Sequence, residues 1–325
     1  MDTVSSLSVT FRTIDYDALP ISDYSRRYIR RMLPALDYYL GIYAHGLETL
    51  LRSVGKPAEE LTLVDYGGGH GFLSILAKQA GVGQVIYVDF NPDAVATIHA
   101  VSDHLATLET PVPGPDVVLQ GDSKVLGEWC AREKESPDIV MGMDVIEHIY
   151  CLDDFFGHLF VIGAPMRMLF TTASNPYNRR VVRKLHKVMA KDEALFFKQR
   201  REFIQKHYPD MDSQKLDYWA TNTRGLNYDD ILRAVDTESP NLLRDPFNTC
   251  DPETGSWTER ILPLDDYRNL LMPYGYEMCV ENGWYNSANT GLKGCLERHY
   301  NKFLKAGRRR NVAPFLFLYM QSTTL

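Results

Sequence analysis

Apolar residues along this chain follow two alternating rhythms. Short continuous runs rich in β-branched residues recur at 61–65, 84–89, 117–121, 137–143 and 166–172, and each predicts a buried strand. Between them the apolar positions step by three and four. Residues 72–80, the series Val95, Ile98, Val101, Leu105 and Leu108, and the group Val125, Leu126 and Trp129 predict helices. This alternation over 61–175 implies a mostly parallel sheet with helices on both faces. Upstream, Leu36, Leu40, Tyr43, Leu47, Leu50 and Val54 recur at helical spacing, and Gly55 supplies a stop. Pro34 separates that helix from an earlier one near 24–31, and the chain is expected to be helical only beyond its start. Residues 176–260 break the rhythm, with a charged helix over 181–207 and then turn-rich pieces at 222–225 and 251–255. The alternation returns over 260–325, where a helix, two last strands at 277–281 and 314–320, and a helix between them at 292–304 are expected.

The chain therefore divides into an N-terminal helical cap (1–60), an α/β core (61–175 and 261–325) and a largely helical insertion (176–260). Insertions at the carboxyl edge of such sheets carry specificity, so 176–260 is the expected acceptor region.

The strand ends concentrate the chemistry. The first runs into Asp65-Tyr-Gly-Gly-Gly-His-Gly71, with Gly67, Gly69 and Gly71 two apart ahead of a helix. A strand, a tight turn and a helix N-terminus form the layout that seats nucleotide-like ligands. The dinucleotide fingerprint needs a further glycine three places after the second, and Phe72 or Ser74 stands there instead. The second strand ends in Asp89, about 20 residues past the first glycine, where such folds place a carboxylate for ribose hydroxyls. Asn91-Pro92 then caps a helix. The third ends in Asp122-Ser123, which also suits a helix N-cap. The fourth continues into Asp144-Val-Ile-Glu147-His148, and the fifth into Ala173-Ser-Asn-Pro176.

This ordered set resembles the class I S-adenosylmethionine-dependent methyltransferases, in the branch whose fourth strand ends in Asp-Val-hydrophobic-Glu-His. The resemblance covers roughly 60–175 and 260–325. It implies a Rossmann-like seven-stranded sheet, S-adenosylmethionine as cofactor and S-adenosylhomocysteine as product. It implies that Asp65, Gly67, Gly68, Gly69 and Gly71 face the methionine end, Asp89 and Phe90 the ribose, and Asp122 and Ser123 the adenine, with Met143 and Asp144 bordering the reacting centre. N-terminal helices in that family lie over the cofactor mouth.

A hydroxyl acceptor needs a base, because it is almost wholly protonated at neutral pH. His148, Glu147 and His70 are the candidates, His148 by its reference pKa and strand-end position. The competing reading makes Glu147 a first-turn helix acid and His148 a packed helix residue. Tyr16, Tyr24, Tyr28, Tyr177, Tyr218, Trp219, Trp284 and Tyr285 are aromatic candidates for an acceptor pocket, set against ordinary core packing.

Composition narrows the partners. The net charge of -7 argues against a broad nucleic-acid surface. Basic pairs at Arg26-Arg27 with Arg30-Arg31, Arg179-Arg180 with Arg183-Lys184, and Arg308-Arg309-Arg310 read as solvated helix faces. No apolar run approaches a membrane span, and the N-terminus lacks a signal-peptide pattern. The five cysteines are scattered without a Cys-x-x-Cys and the nine histidines lack ligand spacing, so no metal site is expected and a cytoplasmic setting fits. The expected function is methyl transfer to a small or sugar-like acceptor, to oxygen first. A protein or RNA acceptor is the alternative, a non-catalytic cofactor-binding protein the third reading, and a homo-oligomer is left open.

Overall fold

The computed structural model describes residues 3–163, 165–241, 243, 245–305 and 309–323. Three helices come first: α1 (Thr3–Thr13), α2 (Asp23–Met32) and α3 (Leu36–Val54). The alternating core follows as β1 (Thr62–Tyr66), α4 (Phe72–Gln79), β2 (Gln84–Asp89), α5 (Pro92–Ala106), β3 (Val117–Gln120), α6 (Ser123–Glu133), β4 (Ile139–Gly142), α7 (Leu152–Ile162) and β5 (Arg167–Thr172). The insertion holds α8 (Arg179–His207), α9 (Ser213–Asn222) and α10 (Tyr228–Asp236). The core resumes with α11 (Leu264–Leu271), β6 (Tyr276–Asn282), α12 (Gly291–Lys305) and β7 (Leu316–Ser322).

The seven strands lie in the order β3-β2-β1-β4-β5-β7-β6. β1 to β5 pair in parallel and β7 runs antiparallel between β5 and β6. This is the Rossmann-like seven-stranded sheet that the resemblance implies. The apolar runs are continuous because both faces are covered. Leu63, Val85, Tyr87, Ile139, Met141 and Leu169 point to the side packed by α1, α3, α4 and α5. Their neighbours Val64, Ile86, Val88, Val140, Met168 and Phe170 point to the side packed by α6, α7 and α11. β1 pairs with β2 on one side and β4 on the other. The chain thus reverses its direction of travel across the sheet at β1, and the crevice at the carboxyl ends of these strands is the ligand position.

Four local expectations change. The start of the chain is helical: Leu7 and Phe11, four apart, are buried, and the Phe11 ring packs on Phe72 at 4.7 Å. Residues 152–162 form a helix that the sequence reading did not name, its face Leu152, Phe155, Phe156 and Leu159 buried. The insertion is largely helical with turns at 223–225 and 252–254 as expected, and it adds α9 and α10, which the sequence reading did not name, capped by Asp212 and Asn227 and packed through Leu216, Trp219, Ile231 and Val235 against Ile204 of α8. Glu147 and His148 are not helical; the stretch between β4 and α7 is a turn.

Candidate active site

A cleft of about 620 Å³ opens at the carboxyl ends of β1, β2, β3 and β4, within the range of small-ligand sites. Gly67, Gly69, His70, Asp89, Phe90, Asp122, Ser123, Asp144 and His148 line it. A small recess of about 60 Å³ shares Gly67, Gly69, His70 and Tyr28 with the cleft and adds Asp65, Gly68 and Met143. Gly71 and Glu147 line neither.

The glycine loop is shaped by close approach. The N–H groups of Gly67 and Gly68 donate to the Val88 carbonyl, that of Gly69 to Asp89 Oδ2 and that of Gly71 to the Gly68 carbonyl. The amides are therefore spent on the loop itself, which fits its departure from the pyrophosphate fingerprint. Gly67 has φ +66°, and a Cβ there would lie 2.4 Å from Val145 Cγ2. Gly71 is the N-cap of α4 at φ +77°, where a Cβ would lie 1.9 Å from Ile98 Cδ1. Only glycine meets both demands.

Asp65 is 1% exposed, and its Oδ2 accepts from Ser74 N at 3.0 Å and Ser74 Oγ at 2.7 Å. Burial pushes its carboxyl up to about 7 despite those bonds. Asp89 accepts from Gly69 N at 2.9 Å and Asn91 N at 2.8 Å, and burial raises its carboxyl as well. Phe90 is 59% exposed beside it. Asp122 Oδ1 caps α6 by accepting from Lys124 N and Val125 N, so its capping role is realised on the cleft wall. Ser123 Oγ lies 3.0 Å from His158 Nδ1. Asp144 takes a left-handed φ of 51°, which Asp tolerates better than most residues. Thr171 Oγ1 holds it, accepting from Asp144 N at 2.8 Å and donating to its Oδ1 at 3.2 Å.

The three base candidates separate. His148 Nδ1 lies 2.7 Å from the Trp257 carbonyl oxygen. A carbonyl only accepts, so Nδ1 carries the proton and Nε2 keeps its lone pair. His70 is 7% exposed and stacks on Tyr28 at 4.5 Å. Burial pushes its imidazole down to about 4, and its Nε2 has no hydrogen-bond partner. Glu147 is fully buried beneath the turn, and Oε1 accepts from Ala173 N at 2.8 Å while Oε2 has no partner. Burial, with Asp144 and Glu259 nearby, raises its carboxyl well above the usual range. Glu147 therefore does not reach the cleft, which corrects its candidacy as a base.

Of the aromatic candidates, Tyr24 and Tyr28 line the cleft. Tyr16 is core, its OH donating to the Phe11 carbonyl, and Trp219 belongs to the core of the insertion. Trp284 packs on Phe315 and Phe317, and the Tyr285 OH donates to the Val312 carbonyl. Tyr177 lies beneath Arg310, and Tyr218 is exposed on α9. The basic clusters are engaged in part: Arg26 and Arg30 pair with Asp17 and Arg26 with Asp23, Arg180 lies over Tyr300 and Arg309 over Phe303, while Arg27, Arg31, Arg179, Arg183 and Lys184 are exposed helix-face residues. Arg308 lies outside the described residues.

Sequence reasoning missed Asp154, His158, Tyr150, Thr254 and Ser256, all on the cleft wall. Asp154 and His158 sit four apart on α7, a spacing that was available. Thr254, Ser256 and Trp257 lie in a turn-rich stretch with no periodic signal.

A methyltransferase-domain family model matches residues 30–228. The chain belongs to that family. It is a class I S-adenosylmethionine-dependent methyltransferase. Solved structures similar to it include magnesium protoporphyrin IX methyltransferase from Synechocystis PCC 6803 with bound SAH, at 15% identity and TM-score 0.40, over 87% of this chain and 83% of that one. A SAM-dependent methyltransferase from Mesorhizobium loti matches at 12% identity and TM-score 0.40, over 83% and 95%. Phosphoethanolamine N-methyltransferase 2 of Haemonchus contortus, in complex with S-adenosyl-L-methionine, matches at 13% identity and TM-score 0.40, over 86% and 52%. Comparison with curated proteins gives no match.

The cleft fits the cofactor of this family. A buried carboxylate, Asp89, stands at the rim with its loop-facing oxygen already bonded, the glycine loop excludes a Cβ, and the orphaned His70 Nε2 awaits a polar partner. Among the described residues no cluster could hold a metal ion, and no helix is long and apolar enough to cross a membrane.

Proposed function

We propose that this methyltransferase acts on a hydroxyl of a small or sugar-like molecule, with His148 as the general base. S-adenosylmethionine, when bound, supplies an electrophilic methyl group on a sulfonium. In this reading Asp89 accepts from the ribose hydroxyls beside Phe90, and Asp122 and Ser123 meet the adenine. Asp65, Gly67, Gly68, Gly69 and Met143 surround the amino-acid end, and Gly71 sets the start of α4 behind them. The α2 tyrosines Tyr24 and Tyr28 close the mouth and exclude water, and Asp144 borders the reacting centre. Neutral His70 supplies a hydrogen bond and is too weakly basic to serve as the base. Glu147 positions the turn through Ala173.

The observation that carries the reading is the Trp257 carbonyl on His148 Nδ1. It fixes the tautomer that leaves a basic nitrogen in a side chain on the cleft wall, which a hydroxyl nucleophile requires and a free amine does not. The proton passes from the acceptor hydroxyl to Nε2 and then to solvent. The insertion supplies the acceptor wall through Thr254 and Ser256. The net charge of -7, with Arg26 and Arg30 paired to Asp23 and Asp17, disfavours a nucleic-acid acceptor. Five free cysteines suit a reducing, cytoplasmic setting.

The test is a screen of hydroxyl, amine and thiol metabolites with labelled methyl donor, using wild type and His148→Gln. The reading expects a hydroxyl acceptor and loss of turnover in the variant with cofactor affinity kept. An amine acceptor methylated equally by both proteins would overturn it.

A further inference from the structure

Beside the cofactor cleft lies a second, open groove of about 750 Å³, and the two meet at Tyr150, Cys151 and Asp154. Arg260 lines this groove. No hydrogen bond or ion pair reaches its guanidinium from any described residue, and its Nε is buried without a partner. An orphaned buried donor costs free energy and calls for an explanation. Arg200 shows what a structural arginine looks like in this protein. It is fully buried, pairs with Glu193 at 2.5 Å and donates from Nε to the Ala220 carbonyl at 2.8 Å. Arg260 has none of this. Its guanidinium is instead laid over the Trp257 ring at 4.2 Å, a support that orients the fork without using its N–H groups.

That support is rigid and tied to the proposed base. Trp257 Nε1 donates to the Tyr150 carbonyl at 2.9 Å, its backbone N–H donates to the His148 carbonyl at 3.1 Å, and its own carbonyl meets His148 Nδ1. The Arg260 N–H donates to the Glu147 carbonyl at 3.1 Å. The acids of the groove do not explain the arginine. Asp230 is engaged by Arg233 and the Tyr150 OH. Asp153, Asp154 and Asp266 are exposed in the first turns of α7 and α11, where the helix dipole stabilises them, and none is within ion-pair distance of Arg260.

We propose that Arg260, braced on Trp257, is an anion clamp for the acceptor: a carboxylate or phosphate on the methyl-accepting molecule seats on the guanidinium while its hydroxyl meets His148. The assignment rests on the reading of the cleft as a hydroxyl-methylating site. A planar fork with free donors matches two oxygens of one anion, which a lysine at this place would not. The acceptor is then a small hydroxy acid or a phosphorylated alcohol, not a neutral sugar.

The experiment titrates inorganic phosphate and, separately, acetate into the full-length ¹⁵N-labelled protein saturated with S-adenosylhomocysteine. It follows the four tryptophan indole N–H signals, with that of Trp257 assigned by Trp257→Phe. The proposal expects a saturable shift confined to Trp257, weakened at least about tenfold in Arg260→Met and retained in reduced form in Arg260→Lys. Cofactor affinity by calorimetry reports whether each variant is folded; should Arg260→Met fail to fold, the weakening in Arg260→Lys decides. A response to phosphate alone names a phosphorylated acceptor, and to acetate alone a carboxylic one. No shift with either anion, or an equal shift in the folded variants, overturns the clamp. Because no methyl transfer is measured, that failure would leave the His148 test standing.

Discussion

The two halves of the cleft are built in opposite ways. The half proposed to hold the cofactor is local: Gly67 to Gly71 bond to residues at most 21 positions away, Asp89 reaches Gly69, and Asp122 caps its own helix. The half proposed to hold the acceptor is assembled across the chain. His148 meets Trp257 109 residues away, Trp257 Nε1 meets Tyr150 across 107, and the Tyr150 OH meets Asp230 across 80. Local construction writes itself into the sequence as a motif. Distant construction leaves single, unpatterned residues whose meaning appears only when the chain is folded.

Five substitutions, in four tests, sharpen or break this contrast. His148→Ala should lower kcat by about 10²–10⁴-fold on the true acceptor, the usual worth of a positioned base, with cofactor affinity nearly unchanged. Unaltered turnover would remove the base from the acceptor half.

The second test uses two titrating groups that line one recess with opposite signs. Asp65 has a folded-state value raised from 3.8 to about 7, so the folded protein holds an extra proton between these limits. Its contribution to stability is present at low pH and is lost as pH rises through about 7. In Asp65→Asn, the gain in unfolding free energy over wild type, read from urea titrations, should grow from pH 4 to 7 and then level, reaching on the order of 2–4 kcal/mol. His70 is lowered from 6.5 to about 4, so its contribution is lost as pH falls through that window. In His70→Gln the gain over wild type should grow as pH falls from 6.5 to 4. Flat differences in cofactor-free protein would contradict the burial that shapes the recess.

Asp89→Ala should weaken cofactor binding by about 10–100-fold in calorimetry, the worth of charge-assisted hydrogen bonds. Equal affinity would move the ribose elsewhere. The smallest effect belongs to Tyr150→Phe, which strands the Asn227 N–H and frees Asp230. A loss of about 1 kcal/mol in urea unfolding is expected, with cofactor affinity kept, and no change would mean that the insertion is held by other contacts.

The same contrast explains what could be read in advance. The sheet, its parallel order and the residues of the first three strand ends were legible because burial on both faces makes continuous apolar runs and a tight approach demands glycine. Tyr24 and Tyr28 were visible as aromatics, but nothing distinguished them from Tyr16 until α2 was seen over the cleft and Tyr16 in the core. Glu147 and His148 read as a pair, yet folding sends one beneath the turn and the other onto the cleft wall. The turn, where the competing reading had a helix, has its Glu147 and His148 carbonyls accepting from the Arg260 and Trp257 N–H groups. Trp257 lies in an aperiodic stretch and Arg260 at its edge, ahead of α11, so no spacing rule could find them.

The most direct test of the whole account is a crystal structure of the protein with S-adenosylhomocysteine. The account predicts ribose hydroxyls on Asp89, adenine beside Asp122 and Ser123, and the sulfur on the side of the cleft where Asp144 and His148 stand. A nucleoside turned away from Asp89, or a sulfur separated from His148 by the body of the ligand, would contradict it.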